Sequence, residues 1–504
     1  MESAEHAWIG DQLSLQFPSN PVPAKGLALT LPLPGLPSGS RLTYGQVIAL
    51  AGDFYGVVGA PISTAADPRI AFLAAFDSLG GDWGQTLQIL AIMDEEIRAV
   101  DDALAAGKDP STAYAVLGDS LSMHWNVLTG GDNVGDLPVE MGRYLQLAAE
   151  NWDHFTHYAV AAYSAGHAVA MDHAASVPAD ATPDEVAARL QEAYALNAFA
   201  DHFLTDLFSA GHLRAPRKEL YDQVATPVPG FSGSMGSLLV RCMHDEDSHN
   251  GLKVHNANGD AWVAYGDKRL LDKVGTDNRA MVVRAAQASA DDVWTAHVGG
   301  PHNNTALAFI PDLVRVADVS TKENFSPLFR TVPGGGPVQR RNDVTNRNDF
   351  SWTDDWWGWS TWAAIKSMQS SAYAHVKCYS VADGSFLGWL GVGTNNYVVL
   401  VGKESDAHEF DWYVYGDDLY LRKNTSPAYR YLGEGVYSYA DYGLWGGNYK
   451  SPVVYNPDST VSLKDAPSRR LYVYKDNQLC WSNGEAGLTF VRIDLPLEDP
   501  YATF

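Results

Sequence analysis

The spacing of apolar residues changes along the chain, and the change predicts two kinds of structure. In the first part, the capping box Thr182-Pro-Asp-Glu185 is followed by Leu190 and Tyr194, four residues apart, which places both side chains on one face of a helix. Similar intervals predict helices over roughly 141–173 and 236–247. We therefore expect the region before about residue 320 to be mostly α-helical.

After residue 350 the apolar residues alternate with polar ones over short runs, which Gly, Asn and Asp turns separate. A period of two is typical of β-strands that bury one face. Three rough units of about forty residues favour a trefoil-like barrel, and a small sandwich fits nearly as well. The clearest strand patterns are Phe410–Tyr415, Leu471–Tyr474 and Leu488–Ile493.

A Gly- and Pro-rich stretch at Pro333–Pro337 separates these two regions, as is typical of linkers. With 504 residues, the chain is too long for one compact core. We predict a multidomain protein. Its parts are an N-terminal all-α domain at 1–325, a linker at 326–349 and a C-terminal all-β domain at 350–504.

The net charge of −25 argues against a nucleic-acid partner, because proteins that bind nucleic acids gain affinity by neutralising phosphates. A zwitterionic lipid surface meets no such electrostatic barrier. No apolar run is long enough to cross a bilayer, so we expect no transmembrane segment.

The first thirty residues show neither the basic nor the apolar region of a signal peptide. This leaves open a mature form with an added Met, export by another route, or an intracellular protein. The three cysteines lie far apart without a Cys-x-x-Cys motif, so we expect no sulfur metal site. Their spacing leaves a Cys378–Cys480 disulfide open.

Three potential metal ligands lie within eleven residues near the middle of the chain: His202, Asp206 and His212. The first two are four residues apart and so share one face of a helix, which we expect to end near Gly211. Neutral imidazole and carboxylate are the usual nitrogen and oxygen ligands of a hydrolytic zinc ion. The trio therefore predicts a zinc site, against the alternative of a hydrogen-bonded cluster in a buried helix.

The first 320 residues or so resemble the zinc-dependent phospholipases C of bacteria, which share an α-helical fold with fungal single-strand nucleases. The resemblance rests on that family's His-x-x-x-Asp-x5-His motif, which His202, Asp206 and His212 match position for position. The family also has a metal-binding His nearly fifty residues upstream, and His154 lies forty-eight residues before His202.

The resemblance implies further ligands outside the motif. Asp53, in an Asp-Phe-Tyr context, is similar to a bridging Asp that also accepts the proton of the attacking water, and His6 is similar to a ligand near the N-terminus. The family's later His-x-x-x-Glu pair corresponds most nearly to His244 with Asp247 or Glu246. The predicted ligands of two or three Zn²⁺ ions are therefore His6, Asp53, His154, His202, Asp206, His212, His244 and Asp247, with Asp53 as the catalytic residue.

The chain departs from the family's pattern in three places. The long interval between Asp53 and His154 implies an insertion at about 60–140. Trp8 is internal, whereas family members use a mature N-terminal Trp as a metal ligand, so the formation of a third metal site stays open. Position i+4 from His244 is a serine, which leaves the acidic ligand open, and two nearby histidines could replace His244 itself: His249 and His255.

The resemblance implies hydrolysis of a glycerophospholipid, with phosphatidylcholine as a candidate, to diacylglycerol and a phosphorylated headgroup by a metal-activated water. The implied partner is phospholipid at a membrane or micelle surface, and family habit implies an extracellular protein. A zinc nuclease of the same fold and a non-catalytic lipid- or glycan-binding protein are the alternatives. The oligomeric state stays open.

Two further motifs invite functional interpretations. The run Gly118-Asp-Ser-Leu121 resembles the nucleophile segment of Gly-Asp-Ser-Leu esterases, with Ser120 as the nucleophile. No His in the chain has an Asp three residues before it, so the triad cannot be completed, and we interpret the run as a turn. Five tryptophans between Trp352 and Trp362 are interpreted as the aromatic core of the β domain rather than a docking surface.

Overall fold

The computed structural model contains helices and β-sheets in two compact units. Unit 1 comprises residues 1–114 and 121–365, and unit 2 comprises residues 115–120 and 366–504. The residues that the structure describes are 1–33, 35–117, 120–134, 137–178, 180–228, 231–332, 334–344, 346–369, 374–393, 397–415, 418–423, 430–433, 439–442, 451–456, 458–482 and 486–494.

Fifteen α-helices lie within these described ranges. In chain order they are α1 Ser3–Asp11, α2 Tyr44–Leu50, α3 Pro68–Asp77, α4 Trp83–Ala105, α5 Ser111–Leu117, α6 Ser120–Leu128, α7 Arg143–Ala149, α8 Thr156–Ala175, α9 Pro183–Asp206, α10 Ala210–Leu213, α11 Arg217–Gln223, α12 Met235–Asn250, α13 Thr276–His297, α14 Leu313–Ala317 and α15 Gly358–Gln369.

The strands before residue 360 are short and antiparallel, and they form five two-stranded sheets and one three-stranded sheet in the described part of unit 1. The pairs join consecutive strands, and the three-stranded sheet has the order β11-β12-β13. Their bounds are β1 Ser14–Leu15, β2 Val22–Pro23, β3 Leu29–Thr30, β4 Arg41–Leu42, β5 Asp132–Val134, β6 Leu137–Glu140, β7 Pro227–Val228, β8 Phe231–Ser234, β9 Leu252–His255, β10 Ala261–Ala264, β11 Phe329–Arg330, β12 Gln339–Arg341 and β13 Trp352–Thr353.

Helices α8 and α9 form the centre of unit 1, and they pack closely because small residues face their contact. Helix α9 begins as predicted, with Thr182 accepting a hydrogen bond from the Glu185 amide in a capping box. Its second half, from Ala193 to Asp206, is entirely buried. On α8, Gly166 lies against the ring of Phe72, so that an added Cβ would overlap the ring. Unit 1 thus buries the polar residues at the end of α9 in its interior.

The predicted helix at 141–173 is interrupted, which corrects the expectation that His154 lies on it. Helix α7 ends at Ala149, a 3₁₀ turn follows at Trp152–His154, and α8 begins at Thr156. Thr156 has φ of +52°, so the backbone turns sharply at this point. The interruption places His154 in a turn instead of on a helix face. By contrast, the helix predicted at 236–247 is confirmed as α12.

The second half of the chain contains two antiparallel sheets that enclose one apolar core in the described part of unit 2. One has the order β17-β16-β15-β26, and the other runs β14-β18-β19-β22-β23-β24-β25, with β20 paired to β19 and β21 paired to β20. This pair of sheets around one core is compatible with both predicted folds, the trefoil-like barrel and the small sandwich. The strands are β14 Ala374–His375, β15 Lys377–Ser380, β16 Phe386–Val392, β17 Val398–Val401, β18 Glu409–Tyr415, β19 Asp418–Lys423, β20 Arg430–Gly433, β21 Tyr439–Tyr442, β22 Val453–Tyr455, β23 Val461–Leu463, β24 Ala466–Val473, β25 Leu479–Trp481 and β26 Val491–Asp494.

The observed division between the units lies at Ile365, later than the predicted boundary. Residues of the predicted linker form β11 and β12, and Phe329 is buried in a cluster with Met235 and Leu239 of α12. Residues 326–349 therefore belong to the fold of unit 1. The tryptophan-rich stretch belongs to it as well: Trp356, Trp359 and Trp362 pack on the same cluster, while Trp357 is 65% exposed.

Three remaining expectations concern single features. Cys378 and Cys480 are both buried as thiols, so the disulfide that their spacing left open is not formed. Gly118 and Asp119 lie outside the described residues; Ser120 begins α6, and its hydroxyl donates a hydrogen bond to the Leu117 carbonyl. Among the described helices, none is long and apolar enough to cross a membrane.

Candidate metal centre

Buried His and Asp side chains converge at the end of α9 and form three groups that could each hold a metal ion. Within each group the potential ligand atoms all lie within 4.8 Å of one another. Imidazole nitrogen and carboxylate oxygen are suitable donors for zinc and for other divalent transition metals. The groups are His6, Asp53 and His202; His154, His202 and Asp206; and His212, His244 and Asp267.

Hydrogen bonds from Nδ1 orient three of the imidazoles. His202 Nδ1 lies 2.8 Å from the Ile48 carbonyl and His212 Nδ1 lies 2.8 Å from the His154 carbonyl, so in both rings Nδ1 donates. His6 Nδ1 lies 2.9 Å from the Thr205 hydroxyl, which itself donates to backbone carbonyls of α9 and so must accept from His6. In all three rings Nε2 therefore carries the lone pair that can bind a metal, an arrangement typical of histidine ligands, and in His202 this nitrogen lies 3.1 Å from His154 Nδ1.

His6 supplies an observation that points to an absent ligand. Its Nε2 is fully buried and has no hydrogen-bond partner among the described residues, although Asp206 Oδ1 lies 3.5 Å away. Burial, reinforced by the nearby Met1 ammonium, lowers the pKa of His6 to about 4, so the ring is neutral at physiological pH. A neutral imidazole whose lone pair faces a carboxylate in a dry interior fits a metal ion.

Asp206 lies at the centre of the groups. Its Oδ1 is 2.6 Å from the Met1 ammonium nitrogen, and its Oδ2 is 2.8 Å from His154 Nδ1 and 3.6 Å from His202 Nε2. Burial alone would raise its pKa, but the Met1 ammonium and the surrounding histidines lower the pKa well below its usual range. Asp206 is therefore ionised and available as an anionic ligand.

Asp53 approaches the other ligands because Gly52 precedes it. Gly52 has φ of +68°, and an added Cβ would lie 2.7 Å from His202 Nε2 and 2.8 Å from His154 Cε1. Only glycine lets the turn after α2 run this close to both imidazoles. Burial raises the pKa of Asp53 to about 7, with Asp206 adding to the increase and His154 opposing it.

Asp267 completes the third group, and the sequence did not identify it. It follows β10 in a turn, with Oδ2 at 3.2 Å from His244 Nε2 and Oδ1 at 3.7 Å from His212 Nε2. Its Oδ1 also lies 3.2 Å from the Met1 ammonium. Burial lowers the pKa of His244, but Asp267 and the neighbouring Asp245 outweigh it and raise the pKa to about 10.

The structure does not bring Asp247 or Glu246 to the centre. Asp247 accepts hydrogen bonds at both oxygens from Arg214, at 2.7 and 2.9 Å, and the pair is buried. Glu246 is bound in the same way by Arg341, at 2.8 and 3.1 Å. Each carboxylate neutralises a buried guanidinium, so the acidic partner of His244 is Asp267 instead.

The remaining predicted ligands all lie in the centre, and the histidines outside it have other roles. Helix α9 ends at Asp206, earlier than expected, and Gly211 lies inside α10 against the ring of His244. His167 binds Asn197 in a separate buried network, His173 binds Glu192, and His255 binds Glu323. The seven predicted residues that the structure brings together are His6, Asp53, His154, His202, Asp206, His212 and His244.

An open pocket adjoins the centre and reaches His154. One wall is formed by residues 55–62, and the other by Gln146, Leu147, Glu150 and Asn151 around the end of α7. Phe203 and Gly52 line its inner end. No Lys or Arg lines this pocket, so its walls offer a phosphate no cationic side chain.

Comparisons of the chain with protein-family models, curated proteins and solved structures found no match.

Proposed function

We propose that the chain is a zinc-dependent phosphodiesterase of the phospholipase C type, which hydrolyses a glycerophospholipid to diacylglycerol and a phosphorylated headgroup. The observation that carries the proposal is the convergence of three His/Asp groups, with His202 common to two of them. Several ions close together are typical of enzymes that hydrolyse phosphate esters. The orphaned Nε2 of His6 supports a metal as the missing partner.

The residues present fit such ions. His154, His202 and Asp206 would hold one ion and His212, His244 and Asp267 a second, and His6 and Asp53 remain as ligands for a third, because the single Nε2 lone pair of His202 binds one ion at a time. When bound, divalent ions attract phosphate oxygens and make a nearby water more acidic, which supplies a nucleophile near neutral pH. Asp53 is placed to accept the proton of that water.

The protein's own groups would orient the substrate. The pocket that ends at His154 would give one side of a phosphodiester a position beside the centre. The residues that line its two walls add no positive charge. Phosphate binding would therefore depend on the metal ions.

Charge favours a lipid over a nucleic acid as the substrate. A nuclease gains affinity from cationic side chains that contact successive phosphates. Here the net charge is −25 and the pocket has no cationic lining. A single phosphodiester in a neutral or zwitterionic lipid needs only the positive charge of the metal ions to be bound.

The proposal is tested by measuring metal and activity together. Purified protein, dialysed against trace zinc, is assayed for bound metal by mass spectrometry and for release of phosphocholine from phosphatidylcholine, with release of nucleotides from single-stranded DNA measured in parallel. We expect bound zinc and phosphocholine release, and His202→Ala and Asp206→Ala should lower the zinc content and abolish the release. His173→Ala, outside the centre, is the matched control.

Preferential release of nucleotides would instead identify a nuclease. Retention of full activity and metal content in His202→Ala and Asp206→Ala would overturn the proposal. Absence of zinc and of hydrolysis from the intact protein would overturn it as well and would favour a binding protein.

A further inference from the structure

Residues 56–63, here called the strap, form the outer wall of the pocket beside the metal centre. The strap reads Gly-Val-Val-Gly-Ala-Pro-Ile-Ser, and no charged residue occurs from Gly56 to Ala66. Seven of its eight residues, 56–62, line the pocket that ends at His154. A substrate in this pocket would therefore contact the strap.

The far end of the strap is fixed to the segment that carries His154. Asp153 is buried and accepts hydrogen bonds from the Ile62 amide at 2.5 Å and the Ser63 amide at 3.0 Å, and from the Ser63 hydroxyl. Trp152 Nε1 also lies 3.4 Å from the Thr64 hydroxyl. Three successive residues, 152–154, thus hold both the strap and the metal centre.

The tip of the strap, in contrast, projects two apolar side chains into solvent. The Ala60 amide donates to the Val57 carbonyl at 3.0 Å and closes a tight turn, in which Gly59 has φ of +77° and no atom within 4 Å of an added Cβ. Val57 and Val58 are 40% and 44% exposed. A turn closed by its own backbone bond presents these valines without needing them for a core.

The stretch of sequence that contains the tip and the following helix is rich in exposed apolar residues. Among the described residues, fifteen large apolar side chains are exposed, and four of them fall in the segment 57–73. The other two are Ile70 and Leu73 on α3, the helix that follows the strap. Adjacent exposed apolar residues beside a binding pocket mark a surface that contacts another apolar phase.

We propose that the strap tip is the lipid-contacting and specificity-determining element of the site, and that Val57 and Val58 enter the surface of a bilayer or micelle while the phosphodiester enters the pocket. This inference rests on the proposed function for its substrate. An uncharged tip loses no ionic hydration when it meets lipid, and apolar side chains gain free energy by leaving water. The tip therefore favours phosphodiesters in lipid surfaces over dissolved ones.

The test uses the full chain and two double variants. Val57→Ser/Val58→Ser removes the apolar tip without changing charge. Val274→Ser/Val298→Ser is the matched control, since these valines are also exposed in unit 1 and do not line the pocket. Binding is measured by co-sedimentation with phosphatidylcholine vesicles, and hydrolysis is measured on the same vesicles and on water-soluble bis(4-nitrophenyl) phosphate.

We expect the tip variant to lose vesicle binding by about tenfold and to lose hydrolysis of the vesicles by several times more than it loses hydrolysis of the soluble ester, and the control to behave as the parent. Vesicle binding equal to that of the parent would overturn the inference. Equal losses on both substrates would overturn it as well, because they would indicate damage to the fold or the chemistry.

Failure of the proposed function gives a different result. A parent protein that hydrolyses neither substrate contradicts the phosphodiesterase, while co-sedimentation still reports whether the valines contact lipid. Vesicle binding that depends on the valines in a protein without activity would keep the strap as a lipid-binding element and reject only the enzyme.

Discussion

His212 Nδ1 donates a hydrogen bond to the backbone carbonyl of His154 at 2.8 Å, which joins two of the three potential metal groups directly. His154 belongs to the group on α9, and His212 belongs to the group with His244 and Asp267. A shift of the 3₁₀ turn at Trp152–His154 would therefore move the imidazole of His154 in one group. It would also move the backbone carbonyl that orients the ring of His212 in the other group. We expect the groups to respond together to changes in this turn.

His202 and His212 should each account for one metal ion. His202 belongs to two groups, but its Nδ1 donates to the Ile48 carbonyl, so its one Nε2 lone pair binds one ion at a time. His202→Ala and His212→Ala should therefore each lower the metal-to-protein ratio by about one. Inductively coupled plasma mass spectrometry of zinc-saturated, dialysed proteins measures the ratio. An unchanged ratio in either variant would contradict the assignment of that histidine as a ligand.

We expect Asp267 to act as a metal ligand and Asp247 to act as a structural residue. Asp267→Asn should lower the metal content, because the carboxylate faces His212 and His244. Asp247→Asn should leave the metal content near that of the parent but destabilise the fold by about 3 kcal/mol, because buried Arg214 loses its ion pair. Thermal unfolding of the metal-free proteins gives the stability. Metal loss in Asp247→Asn with unchanged stability would reverse the assignment.

Gly52→Ala should disrupt the centre more than backbone strain alone explains. Gly52 and Gly59 both have positive φ, so alanine costs each about 1 kcal/mol of backbone strain. Only at Gly52 does the added Cβ meet His154 and His202, since the space around Gly59 is open. We expect Gly52→Ala to lose metal and Gly59→Ala to keep it. Similar metal contents in the two variants would show that close approach to the imidazoles is unimportant.

The free energy of unfolding should fall as the pH rises, because of the buried carboxyl group of Glu96. This buried carboxyl accepts a hydrogen bond from the Ala4 amide at 3.0 Å, and burial, with a smaller contribution from Glu2, raises its pKa from 4.5 to about 8. A raised pKa means that the folded state holds the proton more tightly, so this stabilisation is complete below pH 4.5 and is lost as pH rises towards 8. The loss approaches about 1.4 kcal/mol per pH unit between these values.

Glu96→Gln removes this pH-dependent term, because the amide cannot ionise, while its oxygen can still accept the hydrogen bond from the Ala4 amide. Between pH 5 and pH 8 the Tm of the variant should therefore rise relative to the Tm of the parent, as measured by differential scanning calorimetry. A difference that is constant over this range would contradict the raised pKa.

Local spacing predicted much of the centre, and its failures have identifiable causes. His202 and Asp206 lie one turn apart on a single helix, so the sequence alone places them together. Asp267 comes from a turn that follows a hairpin, where no periodicity relates it to His244. Asp247 has suitable spacing on α12, but the sequence could not show that Arg214 occupies it.

The predicted domain boundary differs from the observed one for a related reason. The Gly- and Pro-rich composition near Pro333 is typical of linkers, yet the short strands on either side of it, β11 and β12, pair with each other, and Phe329 of β11 is buried against α12. Composition indicates that a segment turns, and it does not indicate whether the turn is covered. Tertiary packing therefore decided which unit includes the tryptophans.

The potential ligands come from segments as distant in the chain as His6 and Asp267. A nascent chain therefore cannot assemble all three groups until the ribosome has passed residue 267 and the first helix has docked onto the later ones. The two groups that contain His202 need no residue after Asp206, so metal uptake by the group with Asp267 would follow theirs in the maturation of unit 1.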